Sequence, residues 1–139
     1  MTDAMGAVAT ATEDVDRLQP INDVQDKSYP YDVYSATLGR GDSYGLDSSE
    51  GVRWGRVVVQ TFGRTGTSAL AKAEEVRAAL VGLRLDIDGY ETTPVRAELD
   101  PVVTRDPDDA GVVNVTTTYT FTATQLRGLL DVVKKRGAA

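Results

Sequence analysis

Neither cysteine nor histidine occurs among the 139 residues. Without cysteine there is no disulfide framework and no thiolate metal site. Without histidine the commonest general base and the commonest metal ligand are missing, which excludes most hydrolytic triads. Positive charge is also scarce: 15 Lys and Arg stand against 21 Asp and Glu, for a net charge of −6. A main affinity for phosphate backbones needs clustered Lys and Arg and is not expected here. Acidity of this kind favours solubility, or a surface that repels nucleic acid. No run approaches the roughly 20 apolar residues of a membrane span. Met1 to Thr12 has no basic segment, and its apolar residues are broken by Gly6 and threonines, unlike a signal peptide. The expectation is a soluble protein made in the cytoplasm. At this length one domain is expected, burying on folding roughly 68% of the surface the unfolded chain exposes, which is enough for a core.

What is present is an ordered set of elements. The clearest is Val112 to Thr124, where Val113, Val115, Tyr119, Phe121 and Ala123 alternate with Asn114, Thr116, Thr118, Thr120, Thr122 and Thr124. That pattern predicts a strand with one dry and one wet face. A dry face needs a cover, and Thr67 to Leu80 supplies a helix. Leu70, Ala73, Val76, Leu80 and Val81 form its stripe, Lys72, Glu74, Glu75 and Arg77 face solvent, Thr67 or Ser68 caps it, and Gly82 ends it. Val52 to Phe62 reads as a strand with Trp54, Val58 and Phe62 on one face and Val57, Val59 and Thr61 on the other, hence central or covered by a partner. Tyr31 to Leu38 is a first strand without a clear dry side. Between these two strands lies a thirteen-residue Gly, Ser and Asp loop, residues 39 to 51, longer than a usual hairpin connection.

The remaining elements are weaker. Residues 2 to 18 carry apolar residues at helical intervals, with Thr2 as N-cap and Pro20 as stop, and residues 20 to 30 read as an extended approach and a loop. Leu83 to Ile87 is a short strand turned by Asp88 and Gly89, and Val95 to Thr104 is another, interrupted by Pro101 and forming an antiparallel hairpin with the last strand. From Gln125, Leu126, Leu129, Leu130 and Val133 fall on one helical face before Lys134, Lys135 and Arg136. The fold class is α+β: a mixed, mainly antiparallel sheet with one main helix packed on one face, plus N-terminal and C-terminal helices. The chain divides into an N-terminal helix and approach segment (1–28), a core (29–124) and a C-terminal amphipathic helix and tail (125–139).

Several fragments imitate chemical motifs and are better explained by structure. Arg40, Gly41 and Asp42 spell an adhesion tripeptide but read as a turn. Gly63 to Ser68 has the glycines of a phosphate loop without its lysine, and reads as a capped strand-to-helix turn. Asp86, Asp88 and Gly89 open like a calcium loop, but the glycine comes two places early and Ala97 stands where the twelfth-position Glu belongs. Asp106, Asp108 and Asp109 carry the oxygens a hard cation takes, yet an acidic hairpin tip is normally just solvated. Lys134 to Arg136 complement a helix dipole and need no phosphate. A glycosidase carboxylate pair would need a deep sugar cleft that one thin sheet rarely provides. No catalytic residue, metal or cofactor is expected.

The order of elements resembles the tail terminator proteins of long-tailed bacteriophages, particularly those of actinobacteria. The residues that carry the resemblance are Tyr29, Pro30 and Tyr31 leading into the first strand, and VVVQTFGRT (57–65) running into the helix with Ala71, Ala73, Val76, Arg77, Ala79, Leu80 and Leu83. VTRD at 103–106 and TTTYTFTAT at 116–124 complete the pattern. It spans residues 29 to 124, and the evidence is order and spacing, since each motif is only strand or helix punctuation. The N-terminal helix is weaker than in the family, and many members lack a helix at 125–139. The resemblance implies a non-enzymatic virion protein in the neck region. Six copies would form a ring on the last tail-tube ring, stop polymerisation and present the head-attachment surface. Its implied partners are further copies of itself, the tail tube protein and a head-tail connector or stopper, with DNA passing through without specific binding and no membrane contact. Arg40, Tyr44, Leu46 and Trp54, on the hairpin of the first two long strands, are the candidate ring-interface residues. Asp47, Glu50, Asp108 and Asp109 are the candidate acidic lumen residues. Leu126, Leu129, Leu130 and Val133 are a candidate partner-binding helix face. Alternatives are another neck component, such as a head-completion protein, and a cytoplasmic adaptor that binds by strand addition or through its C-terminal helix.

Overall fold

The structure, a computed structural model, describes residues 3–42, 52–98, 101–105 and 111–125. Its frame is three long antiparallel strands. β2 (Tyr31–Asp42) pairs with β3 (Val52–Gly63), and β3 pairs along its whole length with β7 (Val113–Gln125), from Val52 opposite Thr124 to Gly63 opposite Val113. A short β1 (Leu18–Pro20) adds to the free side of β2 in parallel. On the far side of β7, three short strands follow one another along a single edge: β4 (Tyr90–Thr92), β5 (Arg96–Ala97) and β6 (Val102–Arg105). The sheet is therefore mixed and mostly antiparallel, and with two helices the fold is α+β.

The alternation in β7 is the one expected: 113, 115, 117, 119, 121 and 123 are buried, with the residues between them half-buried. Its neighbour β3 follows suit, turning Val57, Val59 and Thr61 inward and Trp54, Arg56 and Val58 outward, because opposed residues in a ladder share a face. β3 is central. In β2 the first four residues are all buried, so both faces of that strand are covered at this end.

Two helices cover the inner face. α2 (Gly66–Leu80) buries Ala69, Ala73, Val76 and Leu80. Its N-cap is Thr65 and not Thr67 or Ser68. The Thr65 hydroxyl accepts from the Ser68 N–H at 3.1 Å while Ser68 Oγ accepts from the Thr65 N–H at 3.3 Å, a reciprocal cap that starts the helix before the residues expected to cap it. Gly82 follows the helix at φ +89°, as its position past the last turn requires. The expected stripe is rotated. Leu70 and Val81 are 41% and 42% exposed, whereas Lys72, expected in solvent, is only 5% exposed. The helix has turned to bring that ammonium under the sheet, for a reason given below.

The N-terminal helix is shorter than residues 2 to 18 suggested. α1 (Ala4–Ala11) is capped by Asp3, not Thr2, and stops where the Thr12 hydroxyl turns back onto the Val8 carbonyl at 2.6 Å. It packs Ala4, Ala7 and Val8 into the same core as Tyr34, Val57, Leu80, Tyr119 and Phe121. Residues 83 to 87 pair with no strand as a ladder, contrary to expectation; Leu85 and Ile87 nevertheless reach the core at 3% exposure. Asp88 and Gly89 form the expected turn, with Gly89 at φ +84°. Arg40 to Asp42 belong to β2 and are not a turn, since the ladder with β3 resumes at Gly41 and Asp42.

Candidate interaction surface

The face of the sheet turned away from the helices is where the described residues leave unusual side chains accessible. The ladders set its composition. β3 contributes Trp54, Arg56, Val58, Gln60 and Phe62. Opposite them β7 contributes Thr122, Thr120, Thr118, Thr116 and Asn114. β2 adds Thr37, Ser35, Val33 and Tyr31, and β5 adds Arg96 opposite Thr120. Threonine suits this role because its branched carbon fits the pleat while its hydroxyl stays wet.

The two ends of the face differ. At one end Tyr31 stacks on Phe62 with centroids 5.0 Å apart, Tyr29 tilts against Tyr31 at 5.5 Å, and the Arg64 guanidinium lies 4.6 Å from the Tyr29 ring. These contacts close the aromatic cluster on itself. At the other end Trp54, the single tryptophan, is 52% exposed. It borders a shallow groove of about 740 Å³ with Thr37, Arg56, Arg96, Glu98 and Thr120. An Arg56–Glu98 contact at 3.9 Å crosses the groove between exposed side chains and adds little to stability.

The backbone shapes this groove. Between Leu38 and Gly41 the register with β3 slips by one residue, a bulge that bends β2 beside Trp54. Directly behind the groove floor, Gly55 faces inward, and any Cβ there would overlap the Phe121 ring, so only glycine lets β3 pass over that side chain. On the far wall Thr93 ties the chain before β5 to β7: its hydroxyl accepts from the Thr122 N–H at 2.9 Å and its own N–H donates to the Thr122 carbonyl at 2.9 Å.

Beneath the face lies a buried charge pair that no local pattern of residues reveals. Asp32 on β2 is fully buried. Its Oδ1 accepts from the Thr61 hydroxyl at 2.5 Å and its Oδ2 lies 3.3 Å from Lys72 Nζ. The same ammonium donates to the Asp16 carbonyl and approaches Glu75 at 3.5 Å. Burial pushes the Asp32 carboxyl above its ordinary range, opposed by the Thr61 hydrogen bond and the Lys72 charge. The cluster pins α2 to β2 and to the turn after α1. Nearby, burial pushes the Tyr119 phenol up to about 12, opposed by the Arg77 charge. Neither feature lines the groove beside Trp54, and the described residues contain no group of three or more acidic side chains able to hold a metal ion. No helix among them is long and apolar enough to cross a membrane.

Of the residues singled out from sequence, Trp54 is on this face and Arg40 is in the bulged part of β2, its side chain outside the described residues. Tyr44, Leu46, Asp47, Glu50, Asp106, Asp108, Asp109, Leu126, Leu129, Leu130 and Val133 all lie outside the described residues. Arg56, Arg96 and Glu98 were not singled out. Outward alternation in β3 marks Arg56, but Arg96 and Glu98 reach the groove only through the pairing of β5 with β7, which no local pattern reveals.

No protein-family model and no curated protein matches the chain. Among solved structures, a chain of the "Virion of native gene transfer agent (GTA) particle" matches 84% of this chain and 84% of its own length, with a TM-score of 0.58 and 16% identity. The two chains share a fold. At that identity the likeness concerns the path of the backbone over most of both chains.

Proposed function

We propose that this protein is a structural component of a phage-like particle and that it acts as a tail terminator. In this role, copies of the chain, six to a ring, cap the last tail-tube ring, stop polymerisation and offer the surface to which the filled head attaches. The observation that carries the proposal is the fold shared over most of both chains with a protein of a gene transfer agent virion. The order of motifs from Tyr29 to Thr124 supports the finer assignment to the terminator position. The chain has no His and no Cys, and its described polar clusters are engaged in folding, both of which suit an assembly protein and not an enzyme.

A closed ring needs two patches on each subunit, related by rotation and complementary to one another. The groove bordered by Trp54, with Arg40, Tyr44 and Leu46 on the same hairpin, is the first patch. A large, half-exposed aromatic beside paired cationic and acidic side chains has the make-up of an interface centre. Asp47, Glu50, Asp108 and Asp109 face the opening, where negative charge keeps DNA from adhering as it passes. The tube protein and a connector or stopper are the partners above and below. The protein therefore resides in the virion neck after synthesis in the host cytoplasm.

The test is arrest of tube growth. Purified tube protein of the same particle, polymerised with and without this chain, should yield tubes of bounded length bearing a cap at one end when the chain is present. Uncapped tubes of unchanged length would refute the terminator assignment. Retention on purified tails that lack heads separates a terminator from a head-completion protein, which stays with the head. One observation favours a second reading: β6 exposes Val102 and Val103 at 55% and 49% on the sheet edge, the kind of strand to which an adaptor adds a partner strand. An adaptor would remain monomeric at high concentration.

A further inference from the structure

Both outer edges of the sheet are partly open among the described residues, and the openings lie at diagonally opposite corners. β6 has β7 on one side and no described strand on the other. Alternation tells which of its backbone groups are left over. The Thr118 and Thr122 carbonyls of β7 accept from the Glu98 and Thr93 N–H groups, so even-numbered residues of β7 turn their hydrogen-bonding groups toward this edge. Val102 and Thr104, opposite Thr116 and Asn114, bond back to them, which leaves the N–H and C=O of Val103 pointing outward. At the other edge β1 covers β2 only from Asp32 to Tyr34, with the Ile21 N–H donating to the Tyr34 carbonyl. Beyond that point the Ala36 N–H rests on the Met5 sulfur at 3.0 Å, and the N–H and C=O of Leu38 point outward in step with those of Asp32 and Tyr34.

We propose that β6 of one copy adds to this open half of β2 in the next copy, antiparallel, with Val103 opposite Leu38. The inference deepens the ring reading and rests on it, because it supplies the second patch that a closed ring requires. Three observations favour a second copy over a foreign strand. The first is direction. β2, β3, β7 and β6 alternate, so β6 of one copy runs antiparallel to β2 of a copy related to it by rotation about a ring axis, and the ladder continues. The second is face. Val103 is on the helix-covered side with Val115, and Leu38 is on that side with Ala36, so the two residues with open backbone groups also share a face. An even number of strands from edge to edge produces that match, whereas an odd number would set the two residues on opposite faces.

The third is what the register brings together. Val103, exposed in the single chain, meets half-buried Leu38 beside Met5. On the outer face Val102 comes opposite Gly39 and Thr104 opposite Thr37, the two β2 residues that line the groove beside Trp54. Gly39 has no side chain to stand between them, so the exposed Val102 and the exposed Trp54 ring close over it from either side. The pairing also fixes a stagger. Val103 shares its row with Val115, Thr61 and Asp32, and Leu38 lies six residues further along β2. Six residues at about 3.3 Å set against four strands at about 4.8 Å tilt the strands by roughly 45°, close to the tilt of closed barrels.

The absence of native thiols makes disulfide trapping a clean test. Between copies, Thr37 and Thr104 would face each other with Cα atoms roughly 4.5 Å apart. Within one chain they are three strand spacings apart, roughly 14 Å, which no disulfide spans. Full-length chain carrying Thr37→Cys with Thr104→Cys, oxidised at concentrations where the unaltered chain associates, should give a ladder of covalent dimers, trimers and higher species that collapses on reduction. Either single variant should stay monomeric on the same gel. Dimers from Thr104→Cys alone would overturn the proposal by showing β6 against β6, and a double variant without a ladder would also overturn it. As a second readout, Val103→Lys alters a side chain exposed in the single chain, so the fold should persist while sedimentation shows association weakened roughly ten- to hundredfold. Unchanged association would overturn this pairing, even if the cysteine variants folded poorly, and would leave the ring reading standing. An unaltered chain that stays monomeric at every concentration would instead refute the ring, and this pairing with it.

Discussion

Replacing Lys72 with methionine keeps the length of the side chain but removes the ammonium from Asp32, and the structure sets the size of the consequence. Asp32 is fully buried on β2 and retains only the Thr61 hydroxyl as a partner for its charge. Left with an uncompensated charge, the protein loses about 3–5 kcal/mol, the usual cost of breaking a buried pair from one side. The carboxyl has an escape, which is to take up a proton. From an ordinary value of 3.8, at about 1.36 kcal/mol per pH unit, protonation costs about 4 kcal/mol at pH 7 and about 1.6 kcal/mol at pH 5. The penalty of Lys72→Met is capped by these figures and should therefore more than halve between pH 7 and pH 5. Adding Asp32→Asn to Lys72→Met removes the stranded charge while keeping an acceptor for Thr61, and most of the loss should be recovered. Urea unfolding followed by circular dichroism reads all four corners of the cycle. A Lys72→Met penalty under about 1 kcal/mol at pH 7, or one that does not shrink at pH 5, would refute the idea that this pair holds α2 under the sheet.

Gly55→Ala should destabilise by about 1–3 kcal/mol through overpacking against the Phe121 ring, and Phe121→Leu in the same chain should return part of it; additive losses would contradict the close approach. In the unaltered protein, burial raises the Asp32 carboxyl above its unfolded value of 3.8. Its contribution to stability is then fully present below that pH and declines as pH rises through the folded value. The advantage of Asp32 over Asp32→Asn should accordingly be greatest in acid, and one that grows with pH would reverse the sign of the argument. Trp54→Ala should leave the fold intact while weakening self-association by about 2–3 kcal/mol per contact, the worth of burying the half of the ring that is exposed. Sedimentation with unchanged association would remove Trp54 from the interface.

The frame of this fold was legible because its longest strands obey the simplest rule. Val113 to Ala123 alternates apolar residues with Asn or Thr almost without a break, Thr117 being the one polar residue on the buried side, and Val52 to Gly63 carries the complementary alternation, so both strands and their faces could be read directly. β1 was hidden, since three residues ending in Pro20 carry no periodicity and pair in parallel only because β2 is beside them. Residues 83–87 looked like a strand for the opposite reason: Leu85 and Ile87 alternate, but their burial comes from the core under Phe121 and Ala123 and not from a ladder. Lys72 was misjudged because its partner is forty residues away. A lysine at the margin of a helical stripe reads as solvent-facing until an aspartate on another strand claims it. The interaction face was half legible, with Trp54 and Arg56 marked by outward alternation in β3, while Arg96 and Glu98 depended on the order in which short strands stack along β7.

Electron microscopy of the purified full-length protein, alone at high concentration, tests most directly whether this chain is built to join copies of itself. The result expected is closed rings with a central opening and a single rotational order. A field of single globules of about 15 kDa, with no ring at any concentration, would contradict it.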